Sequence, residues 1–364
     1  MCGIVGYVGP AGAGTSSRPS EVVLGGLSRL EYRGYDSAGI ARCGETEIEL
    51  FKASGKIQNL RDKLEGHQSS KARAAIGHTR WATHGGPSDT NAHPHLGGKN
   101  GEVALVHNGI IENFAALKKE LADDGYEFLS DTDSEVVAHL LARECETAES
   151  LTAAMRACVA HLEGAFTLLA IHEDNPDVIV AARRNSPLVV GLGEGENFLG
   201  SDVAAFVDHT KRAVEIGQDQ IVTVSAERVD VIQFDGTPVP EPKQYTIEWD
   251  AASAQKSGYP SFMAKEIHEQ AKAISDTLLG RLDNNEIVLD EMRIDPSHLR
   301  SIDKIIVVAC GTAANAGEVV KYAIEHWCRI PVEVELAHEF RYRDPIVHER
   351  TLCLLYTSPS PRDS

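Results

Sequence analysis

The chain opens Met1-Cys2-Gly3-Ile4-Val5-Gly6. Residues 4–8 are apolar and rich in β-branched side chains, which reads as a strand, so a thiol stands immediately before the first strand. Removal of Met1 would leave Cys2 carrying both that thiol and a free α-amine. An α-amine has an ordinary pKa of about 7.7–8.0, close to working pH and suited to a general base. One residue then supplies nucleophile and base together, a device known for N-terminal threonine and served still better by the more nucleophilic cysteine. A cysteine after an initiator methionine is commonplace by itself, and the rest of the chain has to decide its meaning.

At 364 residues the chain exceeds one hydrophobic core, and two domains with a partial third are expected. With 42% hydrophobic and 24% charged residues it is globular in composition, which excludes the disordered and fibrous classes. A net charge of −19 argues against a nucleic-acid partner but leaves room for a small anionic substrate in a local pocket. No apolar run approaches the length of a membrane span, and no basic segment followed by an apolar one opens the chain, so a soluble, cytoplasmic protein without membrane contact is expected. The seven cysteines, at 2, 43, 145, 158, 310, 328 and 353, are scattered without a C-x-x-C pair, which argues against zinc and disulfides. The tightest histidine cluster, His93-Pro94-His95, has proline between the rings in an expected loop. It reads as structural or substrate-lining in preference to metal-binding, and no metal or cofactor is expected.

Short apolar runs at 4–8, 40–41, 74–76, 103–106, 166–171, 178–182, 188–191, 221–224 and 229–234 predict strands. Helical spacing covers 22–30, 111–121, 134–144 and 151–162, with Asp133 as the expected N-cap of the third. Strands come in groups instead of alternating with helices, so the expected class is α+β, with antiparallel sheets sandwiched between flanking helices. A Pro- and acid-rich stretch at 236–243 closes this unit, and an amphipathic helix at 263–280 leads out of it. The pattern then changes: an apolar strand at 303–309, the turn Cys310-Gly311-Thr312, a helix at 313–328 and a strand at 332–336 make a βαβ opening typical of a buried parallel sheet. From 354 the chain becomes polar and Pro-rich, and reads as foreign or truncated sequence.

Three further motifs bear on Cys2: His78-Thr79-Arg80-Trp81-Ala82-Thr83-His84-Gly85, His107-Asn108-Gly109-Ile110-Ile111-Glu112-Asn113, and Ser130-Asp131-Thr132-Asp133-Ser134-Glu135. An arginine can grip an α-carboxylate bidentately, and an aspartate can accept from an α-ammonium. An asparagine amide with a neighbouring glycine N–H can hold the oxyanion of a tetrahedral intermediate. Singly, each has a plainer reading: Asn108-Gly109 as a β-turn, Arg80 as a surface ion pair, Asp133 as a helix cap, and His78, His84 and His107 as structural histidines.

Together with Cys2, the motifs resemble those of the class II, N-terminal-nucleophile glutamine amidotransferases, over roughly residues 2–230. Leu30-Glu31-Tyr32-Arg33-Gly34-Tyr35-Asp36-Ser37-Ala38-Gly39, Met263-Ala264-Lys265-Glu266-Ile267-His268-Glu269-Gln270 and Val308-Ala309-Cys310-Gly311-Thr312 narrow the resemblance to the branch whose ammonia acceptor is D-fructose 6-phosphate. That resemblance implies an N-terminal-nucleophile hydrolase fold followed by the start of an α/β sugar isomerase (SIS) domain. Cys2 would attack L-glutamine, and Asn108 and Gly109 would form the oxyanion hole. Arg80 would hold the α-carboxylate with Thr83 and His84 in the same loop, Trp81 would cap the pocket and gate ammonia, and Asp133 would hold the α-ammonium. Cys310, Gly311 and Thr312 would receive the sugar phosphate at a helix N-terminus. The intact enzyme would be a homodimer. The implied domains are 2–230 for the glutaminase, 231–295 for the linker, 296–352 for a truncated SIS domain and 353–364 for the foreign-looking tail, so the synthase half is expected to be incomplete.

Two departures stand out: Ala313 where the family often has serine, and Ala271 where the linker commonly has proline. Two alternatives are an amidotransferase with another acceptor and a non-catalytic sugar-phosphate-binding regulatory protein.

Overall fold

Fourteen strands and five helices make up the described part of the first unit, and their side-chain alternation sets its layers. A computed structural model of the chain describes residues 2–10, 18–44, 47–65, 67, 72–82, 85–247, 259, 262–278, 282–283, 286–287 and 296–355. The chain divides into units Met1–Gln255 and Lys256–Ser364.

In the first unit the strands are β1 (Gly3–Val8), β2 (Ser37–Cys43), β3 (Ile48–Ser54), β4 (Ala74–Arg80), β5 (His95–Gly97), β6 (Val103–Ile111), β7 (Gly164–His172), β8 (Ile179–Arg184), β9 (Val189–Leu192), β10 (Asn197–Gly200), β11 (Arg212–Glu215), β12 (Gln220–Val224), β13 (Val229–Gln233) and β14 (Gln244–Thr246). The helices are α1 (Arg18–Leu30), α2 (Ile57–Leu64), α3 (Phe114–Asp123), α4 (Asp133–Cys145) and α5 (Leu151–Ala160). The strands form an eight-stranded sheet, β14-β11-β9-β10-β1-β4-β2-β3, and a six-stranded sheet, β13-β12-β8-β7-β6-β5. Neighbouring strands run antiparallel throughout.

Successive side chains on a strand point to opposite faces, and that alternation divides the core into three layers. Ile4 and Val8 of β1, Ala74 and Ile76 of β4, and Ala104 and Val106 of β6 enter the layer between the two sheets. Their neighbours Val5, Tyr7 and Ala75 pack under α1 and α2, with Val23, Leu27 and Leu60. Val103 and Leu105 of β6 pack under α3, α4 and α5, with Val137, Leu141 and Met155. The result is the expected α+β sandwich of two antiparallel sheets between two helical layers. Each of these larger apolar side chains contributes about 1.5–3 kcal/mol on burial.

Four expectations change. The helix expected at 111–121 begins only at Phe114, because β6 runs on to Ile111 against β7, pairing Asn108 with Thr167 and Ile111 with Gly164. Asn108-Gly109 is therefore strand and not turn, drawn into the ladder with β7. His95, expected in a loop, opens β5 and is buried. The cap of α4 is Thr132 and not Asp133: Thr132 has extended backbone and its Oγ1 accepts from Glu135 N, whereas Asp133 is the first helical residue. The expected boundary at 230 falls within β13, and β14 and the buried Ile247 carry the first unit further.

In the second unit α6 (Phe262–Leu278) is followed by the short pair β15 (Leu282–Asp283) and β16 (Glu286–Ile287), then α7 (Pro296–Ser301), β17 (Lys304–Ala309), α8 (Gly311–Cys328), β18 (Val332–Leu336), α9 (Ala337–Tyr342) and β19 (Thr351–Leu355). The last three strands form a parallel sheet, β18-β17-β19. The expected βαβ opening is present, and a third parallel strand follows it, running through the point where the tail was expected to begin. Residues 356–364 lie outside the described residues. No described helix is long and apolar enough to cross a membrane.

Thr132→Ala removes a cap whose Oγ1 also meets His95 Nε2 at 3.0 Å and Ser130 Oγ at 2.9 Å. The unfolding midpoint of the first unit in urea is expected to fall by the equivalent of about 1–2 kcal/mol at constant m-value. An unchanged midpoint would deny Thr132 the capping role.

Candidate active site

At one end of the layer between the sheets the same alternation stops supplying apolar side chains. On β4 the inward positions run Ala74, Ile76, His78, Arg80; on β6 they run Ala104, Val106, Asn108; on β1 the step before Ile4 is Cys2. The register pairs Gly3 with Thr79 and Ile4 with His78. The thiol, imidazole, guanidinium and carboxamide thus come to one end of the sandwich, as every second residue on three strands.

Cys2 is half-buried and lies against the Trp81 peptide. Trp81 N donates to Sγ at 3.2 Å, and Sγ reaches Trp81 O at 3.6 Å. The Trp81 peptide thus fixes the position of the sulfur. Gly3 N donates to Thr79 Oγ1 at 3.1 Å and Ile4 N to Ser201 Oγ at 3.1 Å, which fixes the start of the strand.

Asn108 reaches back from the other sheet. Its Nδ2 donates to Cys2 O at 3.1 Å and its Oδ1 faces His78 Nε2 at 2.9 Å. Gly109 follows at φ 138°, the left-handed half of backbone space, and a Cβ there would collide with the Ala165 carbonyl. An N–H donor beside Asn108 therefore depends on glycine at this position.

Arg80 is buried at 3% exposure and donates to Gly85 O at 3.1 Å, which ties down the loop after β4. Burial lowers its pKa, opposed first by Cys2 and then by Asp133 and Asp36. The loop is held on its other side too: Asp36 Oδ2 accepts from Ala82 N at 2.8 Å, and Tyr35 meets Trp81 edge to face at 5.3 Å. Thr83 and His84, both expected in the site, lie outside the described residues. Asp133 is buried at the start of α4, where Oδ2 accepts from Ile111 N at 2.9 Å and Oδ1 from Ser134 Oγ at 3.3 Å.

Behind these groups lie four buried histidines. His78 and His93 stack with ring centroids 4.2 Å apart, and His95 meets His93 edge-on at 4.7 Å. His107 N donates to His93 Nδ1 at 3.3 Å, and His107 Nδ1 meets Ser134 Oγ at 2.9 Å. Burial drives the His78 pKa down to about 3, and those of His93 and His95 well below the ordinary value, so all three imidazoles are neutral.

In the second unit Cys310 is the N-cap of α8, with Gly311 at φ 59° as its first residue and Thr312 next. Cys310 Sγ lies 3.8 Å from His338 Nδ1.

The glutamine amidotransferase domain family matches residues 78–208, and the SIS domain family matches residues 298–364. Glutamine–fructose-6-phosphate aminotransferase (isomerizing) of Corynebacterium efficiens is 60% identical over 355 residues, which is 97% of this chain and 57% of that protein. The chain thus contains a glutamine amidotransferase domain at residues 78–208. The like-named proteins of Streptomyces coelicolor and Mycobacterium tuberculosis are 60% and 51% identical, each over 97% of this chain and over 56% and 57% of their own lengths. The chain thus spans a little over half the length of these curated relatives. Among solved structures, the glutamine phosphoribosylpyrophosphate amidotransferase of B. subtilis, complexed with ADP and GMP, is similar at a TM-score of 0.57. It is 21% identical, over 92% of this chain and 65% of that one, a likeness of fold.

Of the amidotransferase residues expected from sequence, the fold brings Cys2, Arg80, Trp81, Asn108, Gly109 and Asp133 to one region of the first unit. Sequence reasoning left out Asp36 and Thr79, which hold the loop and the strand start, and gave His78 no particular role. Asp36 and Thr79 stand inside quoted motifs, so the signal was present without its geometry.

The neutral imidazoles make stability pH-dependent. For His78 the folded pKa of about 3 lies below the ordinary 6.5, so the unfolded chain binds the extra proton. Stability is complete above about pH 6.5 and declines as pH falls toward 3, with His93 and His95 acting in the same direction. Urea unfolding is expected to lose about 1.5 kcal/mol from His78 alone between pH 6.5 and 5. A flat profile would mean that these rings titrate in the folded protein as they do in the unfolded chain.

Proposed function

We propose that this chain hydrolyses L-glutamine to glutamate and ammonia with Cys2 as nucleophile. The observation that carries the reading is the convergence of Cys2 Sγ, the Asn108 amide and Arg80 at one end of the intersheet layer.

After removal of Met1 the α-amine of Cys2 takes the thiol proton. The sulfur attacks the side-chain carbonyl carbon of glutamine, forming the C–S bond. Asn108 Nδ2 and Gly109 N stabilise the oxyanion. The protonated α-amine passes its proton to the departing nitrogen and ammonia leaves. Water, activated by the same amine, then hydrolyses the thioester and releases glutamate. Arg80 engages the α-carboxylate and Asp133 the α-ammonium, with Thr83 and His84 as further glutamine-binding residues. Trp81, linked through its backbone to the sulfur, caps the pocket and gates ammonia.

In the whole protein the ammonia is delivered to D-fructose 6-phosphate, giving D-glucosamine 6-phosphate, and the N-terminus of α8 at Cys310, Gly311 and Thr312 receives the sugar phosphate. Support comes from the names of the relatives at 60% identity and from the SIS match that follows the glutaminase domain. We assign the whole protein to the cytoplasm as a homodimer, with no nucleic-acid or membrane partner. Incubating it with both substrates and detecting amino sugar separately from glutamate tests the acceptor; glutamate without amino sugar would reject fructose 6-phosphate.

Cys2→Ala is expected to abolish glutamate release, and retention of Met1 to do nearly the same, because the base is then an amide. Mass spectrometry of the N-terminus alongside the assay checks both; full activity with Met1 attached would end the N-terminal-nucleophile reading. Asn108→Ala is expected to lower kcat by about 10²–10³ with little change in KM. Arg80→Ala and Asp133→Ala are expected to raise KM strongly instead. An Asn108→Ala effect confined to KM would remove the oxyanion role.

A further inference from the structure

We propose that His78 is the positioning residue of the oxyanion hole: its Nε2–H holds Asn108 Oδ1 and so keeps Asn108 Nδ2 directed at the Cys2 site. The proposal rests on the glutaminase reading and deepens it. A carboxamide has two ends of nearly equal size, so packing alone does not decide which of them faces the reacting carbonyl. Here the choice is made electrostatically. In the observed arrangement Asn108 Nδ2 donates to Cys2 O at 3.1 Å and Oδ1 accepts from His78 Nε2 at 2.9 Å. Turned over, the amide would set its NH₂ against the imidazole N–H and its oxygen against the Cys2 carbonyl oxygen. The contact with Cys2 O would become a repulsion, the imidazole bond would survive only by moving the ring proton to the buried Nδ1, which has no hydrogen-bond partner among the described residues, and the developing oxyanion would meet an acceptor instead of a donor.

The imidazole is itself held for this purpose. His78 is completely buried at an inward position of β4, opposite Ile4 of β1, while Asn108 lies on β6 of the other sheet, so the bond crosses the sandwich. Stacking on His93 at 4.2 Å fixes the ring plane. His93 is fixed in turn by His107 N, and His107 by Ser134 Oγ, whose hydroxyl also donates to Asp133 Oδ1. One buried network therefore connects the orientation of the oxyanion donor with the carboxylate proposed for the substrate ammonium. A neutral ring carries a single N–H, and only with that proton on Nε2 are both ends of the Asn108 amide satisfied.

The test compares His78→Phe, which keeps ring volume but has no donor, with His78→Gln, which restores an N–H donor, in the full chain with Met1 removed. His78→Phe is expected to lower kcat for glutamine hydrolysis by about 10- to 100-fold with KM within about 3-fold, a fraction of what losing the oxyanion donor itself costs. His78→Gln is expected to recover most of that loss. The double variant His78→Phe/Asn108→Ala is expected to be no slower than Asn108→Ala alone, because the imidazole acts only through the amide. A merely structural histidine would instead multiply the two losses. If the phenyl ring prevents folding, His78→Met, whose flexible thioether adapts to the space, carries the same comparison. Unchanged kcat in a folded donor-less variant, or multiplying losses, would overturn the proposal while leaving the glutaminase reading intact. Absence of glutamate release from the unsubstituted protein would overturn both.

Discussion

Two antiparallel sheets meet across a layer built from alternate residues of β1, β4, β6 and β7, and the geometry of the site depends on this face-to-face packing. Strand parity is a strict constraint, since a slip of one residue would turn every inward side chain outward. Over the middle of each strand the inward set is apolar and contributes stability. At one end it becomes Cys2, His78, Arg80 and Asn108, and the same parity that buries Ile4, Ile76 and Val106 delivers these polar groups to one place. The site thus inherits the positions of these four groups from the core, and the loop after β4 is fastened onto them.

Placing polar groups at the end of an apolar layer costs free energy unless their hydrogen bonds are met. The protein meets that demand chiefly with neutral donors and acceptors. Burial holds His78, His93 and His95 uncharged, and the four histidines bond to Asn108, Ser134, Thr132 and the backbone. Arg80 keeps its charge because Gly85 O accepts from it and Cys2, Asp133 and Asp36 oppose the effect of burial.

The remaining components are held at a distance by local structure. Glu135 accepts from Leu129 N and Ser130 N, which fastens the turn leading into α4 and so sets Asp133 at the helix start. The Tyr35–Asp36 segment restrains the Trp81–Ala82 turn through one ring contact and one backbone hydrogen bond. In the second unit the helix following β17 begins at Gly311, so its free N–H groups lie at the end of a parallel sheet, the arrangement from which phosphate sites are commonly built.

Much of this was legible in the chain itself. The short apolar runs located nine strands of the first unit, and the residue types in the motifs around Arg80, Asn108 and Asp133 named their chemistry, because a thiol, a guanidinium and a carboxamide have few roles in common. The short strands β5, β10, β11 and β14 were not legible, since three or four residues carry too little periodicity and exist by virtue of the partners they pair with, and the seven-residue β3 was missed as well. Nor was the extension of β6 through Asn108-Gly109, where an apparent turn is drawn into a ladder by β7. The cap of α4 passed to Thr132 for a similar reason: Asp133, the better-placed oxygen by sequence, is occupied by Ile111 N from a neighbouring strand. The sequence determined which chemical groups were available and on which face of each strand they would stand. Only the packing of one sheet on the other decided that His78 and Asn108 would meet, because a hydrogen bond between residues 30 apart on different sheets follows from their registers and leaves no local pattern in the chain.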